Sequence, residues 1–536
     1  MRASEGVCYI AFGDAFLDMA RRSLGTLRRF EPSIPAVILT DRATSVALEP
    51  KDSNLQIVQL DMGRKQNRAV KTQLPNFVPF ERCLYLDADT VILRPIRPIF
   101  KHLEAFDLCV SFCGYCINAA VGHLTPEDKE AMLTVCPADA LHYQCGVICW
   151  RRNAETLDFF RAWHDEWNRF RMHDQGAFAR AVWRTGVRLG VLWRDEWNAL
   201  VPTLHIQVRI KHYVERKSRS LGETFPQATE DTDSCALTPS SSRRVELHEG
   251  SVRRLGHEQQ DNDQGRRAGA IGEPAVDHGT PSSRADRLCP QAGVCYVAVG
   301  DESFHLAGRS LSSLREFEPT LPVTILTDQL RPPPGSVYDE NVRVKEVAVQ
   351  DRQGHSIRTQ IPFHIEYERC LVLESDTVIL QPITPIFAHL EAFDLCLAFD
   401  PRGVLRETRH LSREERALTF ALCTDSSLFY EPGVVCWNRT EALLDFYRVW
   451  HAEWTKFGQH VEGALARAIW RSKVRVGVLW PGVWNHSRPS ADLRILRPTE
   501  RFPETADSAV LISLAAQAVF EQRREAQIAR DRLRNR

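Results

Sequence analysis

Apolar positions along the chain form short runs that alternate with longer amphipathic stretches. Short runs bounded by turn residues predict buried strands at 7–12, 36–39, 55–60, 83–86, 107–112 and 146–150. Apolar residues spaced three or four apart predict helices over 15–30 and 153–170. This alternation is typical of an α/β fold with a mainly parallel sheet, in which ligands bind at the carboxyl ends of the strands.

The pattern occurs twice. The stretch GVCYIAFGDAFLDMARRSLGTLRRFEP from Gly6 returns as GVCYVAVGDESFHLAGRSLSSLREFEP from Gly293, 287 residues later, and all twelve Trp keep the same offset. We therefore predict two copies of one domain, at 1–217 and 293–500. The segment 218–292 is rich in Ser, Gly, Pro and charge and is expected to be a disordered linker. Residues 501–536 are expected to form a helical tail that either docks on the protein or binds a partner.

Composition excludes some functions and indicates a compartment. Lys and Arg total 68 against 69 Asp and Glu, so no basic field favours nucleic acid. No run of eighteen apolar residues predicts a transmembrane segment, and the start of the chain does not read as a secretion signal. The fifteen Cys are an odd number, with ten of them matched between the copies in mostly apolar surroundings. Together these features predict a cytoplasmic protein.

The most chemically informative segment is Asp87-Ala88-Asp89, which directly follows the predicted strand 83–86. Two carboxylates at positions i and i+2 can both turn toward one hard cation as the chain leaves the sheet. Carboxylate oxygens are the ligands that Mg²⁺ and Mn²⁺ prefer. The alternative is an ordinary turn with two solvated acids.

The segment ERCLYLDADTVIL from Glu81 resembles the Asp-x-Asp segment of glycogenin-like glycosyltransferases with the GT-A fold. Further pieces follow in the order of that family: a first strand and loop YIAFG, a strand ending in Asp41, a basic helix, a strand with QCGV, and Asp174-Gln175 opening a helix. The resemblance covers most of 6–217 and again 293 to about 497. It implies two tandem GT-A domains and a metal-dependent, retaining transfer of a hexose from a UDP-sugar to a glycan, protein or small-molecule acceptor.

The resemblance also implies a metal site. Asp87 and Asp89 would hold Mn²⁺ or Mg²⁺ against the donor diphosphate, beside Ala88. The family often completes the site with a late His in His-x-x-Gly-x-x-Lys, and IKHYVERK offers His212 and Lys217. The Gly is absent and the spacing is one residue short, so His212 is either a third ligand or a strand-end His without a metal.

Other positions are carried over as donor-binding or catalytic residues. Arg68 and Lys71 would face the diphosphate, although they also fit ordinary solvated helix charges. Asp41 would bind the uracil ring near Phe12, or simply end its strand.

The reacting face of the sugar is the last part that the resemblance implies. Gln144, which stands where the family usually has Asn, would meet a sugar hydroxyl. Asp174 and Gln175 would lie at the reacting face, or Asp174 would only cap its helix.

The two copies agree in their apolar positions and differ where the cation is expected. Lys71 becomes Arg358, Gln144 becomes Glu431, Asp87 and Asp89 become Glu374 and Asp376, and Asp174-Gln175 becomes Val461-Glu462. The counterpart of His212 is Arg497 or Thr499, depending on a two-residue gap. We therefore expect catalysis in the first copy and a degenerate second copy that packs, self-associates or grips the acceptor.

Two other functions stay open at this stage. One is a sugar nucleotidyltransferase, although Gly13-Asp14-Ala15 lacks the basic, Gly-rich loop expected of that class. The other is a scaffold that binds nucleotide sugar or glycan without turnover.

Overall fold

A computed structural model describes residues 4–41, 52–61, 67–119, 124–200, 207–213, 292–328, 339–351, 353–487, 490, 492–497 and 513. Lys217 and Thr499 lie outside these residues, as do the predicted linker up to residue 291 and the tail apart from residue 513. The linker prediction was wrong at its last position, because Ala292 already begins a strand that pairs in the second sheet.

The first copy alternates strands and helices as the sequence predicts. In chain order its elements are β1 (Glu5–Ile10), α1 (Asp14–Arg28), β2 (Ala36–Asp41), β3 (Leu55–Leu60), α2 (Asn67–Lys71), α3 (Leu74–Phe77), β4 (Arg82–Leu86), β5 (Thr90–Ile92), α4 (Pro98–Lys101), β6 (Leu108–Cys116), α5 (Pro126–Leu133), β7 (Leu141–Arg151), α6 (Ala154–Phe170), α7 (Asp174–Arg184), β8 (Leu189–Leu192), α8 (Arg194–Trp197) and β9 (Ile210–His212).

Seven strands form one sheet in the order β3-β2-β1-β4-β7-β6-β8. Strand β1 pairs in parallel with β2 and β4, whereas β7 is antiparallel to both of its neighbours. The predicted α/β fold with a mainly parallel sheet is confirmed. Strands β1, β2 and β4 therefore end at the same edge of the sheet, which places the segment after β4 beside the loop after β1.

The second copy repeats this arrangement. Its elements are β10 (Ala292–Ala298), α9 (Gly300–Arg315), β11 (Val323–Thr327), β12 (Val342–Glu346), α10 (His355–Arg358), α11 (Ile361–His364), β13 (Arg369–Leu373), β14 (Val378–Ile379), β15 (Leu395–Val404), α12 (Arg413–Leu422), β16 (Leu428–Asn438), α13 (Glu441–Trp454), α14 (Glu462–Arg471), β17 (Val476–Leu479), α15 (Pro481–Trp484) and β18 (Ile495–Leu496). Its sheet has the equivalent order, β12-β11-β10-β13-β16-β15-β17. The prediction of two tandem Rossmann-like domains is confirmed.

The repeated apolar positions build the core of each copy. Leu17, Leu24 and Leu27 form the buried stripe of α1. On α6, Trp163 is fully buried and stacks edge-on against Phe178 of α7, with ring centroids 5.1 Å apart. These helices are held against the sheet by the burial of large apolar side chains.

The two copies pack against each other within one compact unit. Phe112 and its counterpart Phe399 contact each other directly, with ring centroids 5.4 Å apart. Isolated β-bridges join Ala140 to Leu479 and, by the same 287-residue offset, Leu192 to Ser427. Each patch therefore meets the equivalent patch of the other copy, which is the pattern of a two-fold symmetric interface within a single chain.

Two buried His at equivalent positions mark the asymmetry of this interface. His102 contacts the Ser426 hydroxyl at 3.3 Å, and burial lowers the pKa of His102 to about 3. Its counterpart His389 instead contacts the Asp139 carboxylate at 3.0 Å, and the indole of Trp484 donates to the same carboxylate. Burial raises the pKa of Asp139, but the His389 charge and these hydrogen bonds outweigh it and the pKa is lowered. Both His therefore lie in the interface through which the second copy packs on the first.

None of the helices in the described ranges has both the length and the apolar character needed to cross a membrane.

Candidate functional site

Asp87, Asp89 and His212 come together at the edge of the sheet where β4 ends. The backbone N–H of Asp87 still donates to the Gly146 carbonyl of β7 at 2.9 Å, so Asp87 is fixed by the sheet. The chain then turns, and Thr90 closes the turn by donating its hydroxyl to the Asp87 carbonyl at 2.8 Å. Strand β5 pairs antiparallel with β9, so Thr90 lies opposite His212. This pairing brings the His212 imidazole to the two acids.

The ligand atoms of these three residues all lie within 4.8 Å of one another. His212 Nε2 is 3.1 Å from Asp89 Oδ1 and 3.7 Å from Asp87 Oδ2. The other ring nitrogen, Nδ1, is 3.0 Å from the Asn198 side-chain oxygen. When Nδ1 donates to Asn198, the lone pair of neutral His212 resides on Nε2 and faces the carboxylates, as a metal ligand requires.

The close approach of His212 depends on a glycine. A Cβ atom at Gly146 would lie 2.5 Å from His212 Cε1 and 3.0 Å from Asp87 Oδ2. A larger residue would therefore push the imidazole or the carboxylate out of the cluster.

The electrostatics of the cluster favour a cation. Burial lowers the pKa of His212, but the hydrogen bond to Asp89 and the charges of both acids outweigh it, so the pKa is raised above its ordinary value. Positive charge is thus stabilised between the carboxylates. Two carboxylates and one imidazole form an oxygen-rich donor set that fits Mn²⁺ or Mg²⁺.

Lys71, at the end of α2, joins this cluster to the start of α7. Its ammonium group lies 3.2 Å from Asp87 Oδ1 and 3.0 Å from Asp174 Oδ2. It also lies 4.9 Å from the ring centroid of Tyr85, whose hydroxyl donates to Asp87 Oδ1. Burial alone would lower the pKa of Lys71, but the charges of Asp174 and Asp87 raise it above its ordinary value. Lys71 is a fixed positive charge.

Asp174 is the first residue of α7, and hydrogen bonds and ion pairs from neighbouring helices fix its position. The indole N–H of Trp163 donates to the Asp174 carbonyl at 2.9 Å. Farther along α7, buried Arg180 pairs with Glu166 at 2.6 Å and with Asp128. These contacts fix the helix against α5 and α6 and so fix the Asp174 carboxylate. Gln175 follows it and is half-buried.

A cleft of about 300 Å³ opens on these groups. Apolar and charged side chains both line it; its lining residues are Ile10, Phe12, Phe16, Asn67, Arg68, Lys71, Tyr85, Asp87, Ala88, Asp89 and Asp174. Arg68 is tied in place by donating to the Met172 carbonyl just before α7. The cleft therefore combines apolar side chains with two cationic groups and three carboxylates.

Two predicted residues lie near the cleft without lining it. Asp41, at the end of β2, is buried and accepts from the Gly13 backbone N–H at 3.3 Å. Gln144 is buried on β7, in register with Ser111 of β6 and two residues before Gly146. Lys217 lies outside the described residues.

The equivalent position in the second copy holds an arginine. Because Val378 pairs with Leu496 as Val91 pairs with Lys211, the counterpart of His212 is Arg497, one of the two alternatives that the sequence left open. Arg497 Nη2 lies 2.7 Å from Glu374 Oε2, and Arg497 Nη1 lies 3.3 Å from Glu431 Oε2.

A second guanidinium, Arg358, also pairs with Glu374. Burial raises the pKa of Glu374, but the charges of Arg358 and Arg497 outweigh burial and lower the pKa below its ordinary value. That carboxylate therefore stays charged and paired. Burial and the Glu374 charge raise the pKa of the neighbouring Asp376. Two fixed guanidinium groups thus supply the positive charge in this copy.

Three contributors to the first-copy site were missed from the sequence. Tyr85 is two residues before Asp87 on the same face of the chain, and its replacement by Val372 in the second copy was an available signal. Asn198 and Gly146 are Asn485 and Gly433 in the second copy, so the comparison of copies could not single them out.

Comparisons with known proteins give structural similarity only. No protein-family profile matches the chain, and no curated protein matches it. Among solved structures, the galactosyltransferase LgtC in complex with donor and acceptor sugar analogs is 12% identical, with a TM-score of 0.31, over 42% of this chain and 98% of that chain. The apo structure of the bifunctional glycosyltransferase WbbM is 12% identical, with a TM-score of 0.32, over 40% of this chain and 46% of that one.

Proposed function

We propose that this protein is a metal-dependent glycosyltransferase that moves a hexose from a nucleotide sugar, most simply a UDP-sugar, with catalysis in the first copy. The observation that carries the proposal is the cluster of Asp87, Asp89 and His212, joined through Lys71 to Asp174 in one cleft. Retention of configuration, implied by the resemblance to glycogenin-like enzymes, is part of the prediction.

Asp87, Asp89 and His212 would hold Mn²⁺ or Mg²⁺. When bound there, the cation would neutralise charge on the diphosphate that leaves as the glycosidic bond breaks. Asn198 keeps His212 Nε2 turned toward the acids, and Tyr85 holds one oxygen of Asp87. These neighbours orient the ligands before the donor arrives, so little reorganisation is needed at binding.

Lys71 and Arg68 supply the remaining positive charge of the cleft. Lys71 is buried and permanently charged, so it is suited to stabilise negative charge that develops on the leaving diphosphate. Arg68 lines the same cleft and is fixed by its bond to the Met172 carbonyl. The apolar side chains that line the cleft, Ile10, Phe12 and Phe16, are suited to the flat face of the nucleobase.

We propose that Asp174 acts on the sugar. Its carboxylate is 3.0 Å from the Lys71 ammonium, so it would border the position where the diphosphate and the sugar separate. A carboxylate there stabilises the positive charge of an oxocarbenium-like transition state or orients an acceptor hydroxyl. Gln144 and Gln175 are proposed to contact sugar hydroxyls.

A donor screen tests the proposal. The purified full chain is incubated with a panel of UDP-sugars, with and without Mn²⁺, and release of UDP is measured. We expect Mn²⁺-dependent release with one donor or a few related donors. The Asp89→Asn variant serves as the inactive control, because it keeps the shape of the side chain and removes its charge.

The two rival functions give different results in the same experiment. A sugar nucleotidyltransferase would release pyrophosphate from a nucleoside triphosphate and a sugar-1-phosphate. A scaffold would bind UDP-sugars calorimetrically without releasing UDP. Either result would contradict the proposal.

A further inference from the structure

A second cluster of metal-ligating side chains lies in the second copy. His410, His460 and Glu462 present one ligand atom each within 4.8 Å of one another. His410 Nε2 is 3.6 Å from Glu462 Oε2, and the two imidazole rings lie 4.9 Å apart between centroids. Three protein ligands at such separations can close on a single ion with small side-chain movements.

The backbone that carries His460 and Glu462 is fixed. Glu462 begins α14, and the indole N–H of Trp450 donates to the carbonyl of Val461 between the two ligands at 3.2 Å. Buried Arg467, one turn along α14, pairs with Glu453 at 2.8 Å. This segment is therefore as firmly held as the start of α7 in the first copy.

His410 is held from the opposite side of the cluster. It lies between Thr408 and α12, and Arg416 of α12 donates to the Thr408 carbonyl at 2.8 Å. Leu411 and Thr408 are buried on either side of it, and its ring contacts Phe429 at 5.9 Å between centroids. The loop that presents His410 is thus anchored by its own side chains.

The donor set selects a different metal from that of the first copy. Two imidazoles and one carboxylate form the His₂Glu set that suits Zn²⁺, whereas the two carboxylates and one imidazole at Asp87 suit a harder ion.

The carboxylate of the cluster has no counterpart in the first copy. Its first-copy counterparts are His123, which lies outside the described residues, His173 and Gln175. Gln175 offers a neutral amide where Glu462 offers a charge, so the first copy lacks the anionic ligand. Beside His410 a cleft of about 360 Å³ reaches Thr408, Arg409 and Phe429.

We propose that His410, His460 and Glu462 form a Zn²⁺ site in the second copy, with a fourth coordination position open to the adjoining cleft. Such an open position takes water or an anionic oxygen of a bound ligand. The site does not include the paired Glu374 and Arg497, and the proposal does not depend on the proposed sugar transfer.

The test is a zinc titration of the metal-free full chain in an Asp87→Asn/Asp89→Asn background, so that the first-copy cluster does not contribute. Zn²⁺ binding is measured by competition with a chromophoric chelator, and Co²⁺ is added separately as a visible probe of coordination. We expect one Zn²⁺ per chain and a Co²⁺ absorption band. His410→Gln and Glu462→Gln should each weaken Zn²⁺ binding by at least about tenfold and remove the band.

The matched control is His305→Gln, which removes an exposed imidazole of α9 and should leave Zn²⁺ binding unchanged. Circular dichroism and Tm of each variant establish that it is folded. The proposal is overturned if the background protein binds no Zn²⁺, or if either folded variant at His410 or Glu462 keeps the full affinity.

Discussion

The two copies have equivalent sheets and differently charged clefts. In the first, His212 faces Asp87 and Asp89 and leaves a negatively charged cluster with room for a cation. In the second, Arg497 lies at the same place in the sheet and pairs with Glu374 and Glu431. The difference indicates that a few substitutions, His212 to Arg497 among them, place a built-in guanidinium where the first copy is proposed to bind a cation, while the repeated core positions are kept.

The largest expected effect comes from removing the carboxylates of the first copy. We predict that Asp87→Asn or Asp89→Asn lowers Mn²⁺-dependent UDP release on the order of 10³-fold, because several kcal/mol of charge stabilisation is lost. The matched variants Glu374→Gln and Asp376→Asn should change the rate less than about threefold by the same principle. A large loss in the second-copy variants would reverse the assignment of the catalytic copy.

The next effect concerns Lys71, which pairs with both Asp87 and Asp174. Lys71→Met keeps the length of the side chain and removes its charge, so the rate should fall roughly 10²-fold, the usual cost of one preorganised charge. Arg358→Met is its counterpart in the second copy and should leave kcat unchanged. Equal losses in both variants would argue that Lys71 acts through stability rather than through the diphosphate.

Arg497 of the second copy should contribute to the stability of the fold rather than to the rate of the reaction. Arg497→Ala leaves Glu374 and Glu431 without one of their partners, and we predict a loss of about 2 kcal/mol in the free energy of unfolding, less than for a fully buried pair. The Arg497 side chain is 31% exposed, which is the reason for the smaller value. Arg448→Ala breaks an exposed pair with Asp445 and should cost less than about 0.5 kcal/mol in denaturant titrations. Equal costs would contradict the paired-arginine account.

The smallest effect is a pH dependence that only the first copy should have. The pKa of His212 is raised in the metal-free protein, so below that pKa a proton must leave before the metal binds. The affinity for Mn²⁺ should therefore fall by about tenfold per pH unit as the pH drops below the pKa. His212→Asn removes the titrating group and should flatten this part of the profile. A slope that persists in this variant would assign the proton to another group.

The sequence predicted the frame of the site better than its details. The strand expected at 83–86 is β4, Arg82–Leu86, and Asp87 follows it directly, because a buried apolar run and its end are local features. The pairing of β5 with β9 joins residues far apart in the chain and is not a local feature. For that reason the position of His212, and the choice between Arg497 and Thr499, needed the structure.

The contact between the copies could not be predicted from the repeat. His102 and His389 lie in nearly identical segments, yet one meets a serine and the other a half-buried carboxylate. Their partners, Ser426 and Asp139, occupy equivalent positions in the other copy, and only the assembled structure relates them. Similarity between copies indicated a shared core but did not indicate that the copies pack with two-fold symmetry.

The central claim is that the cation for sugar transfer binds in the first copy alone. The most direct measurement is a Mn²⁺ titration of the full chain followed by electron paramagnetic resonance, in the wild type, Asp89→Asn and Asp376→Asn. The account predicts one tight Mn²⁺ per chain in the wild type and in Asp376→Asn, and none in Asp89→Asn. Loss of tight Mn²⁺ in Asp376→Asn, with binding retained in Asp89→Asn, would contradict it.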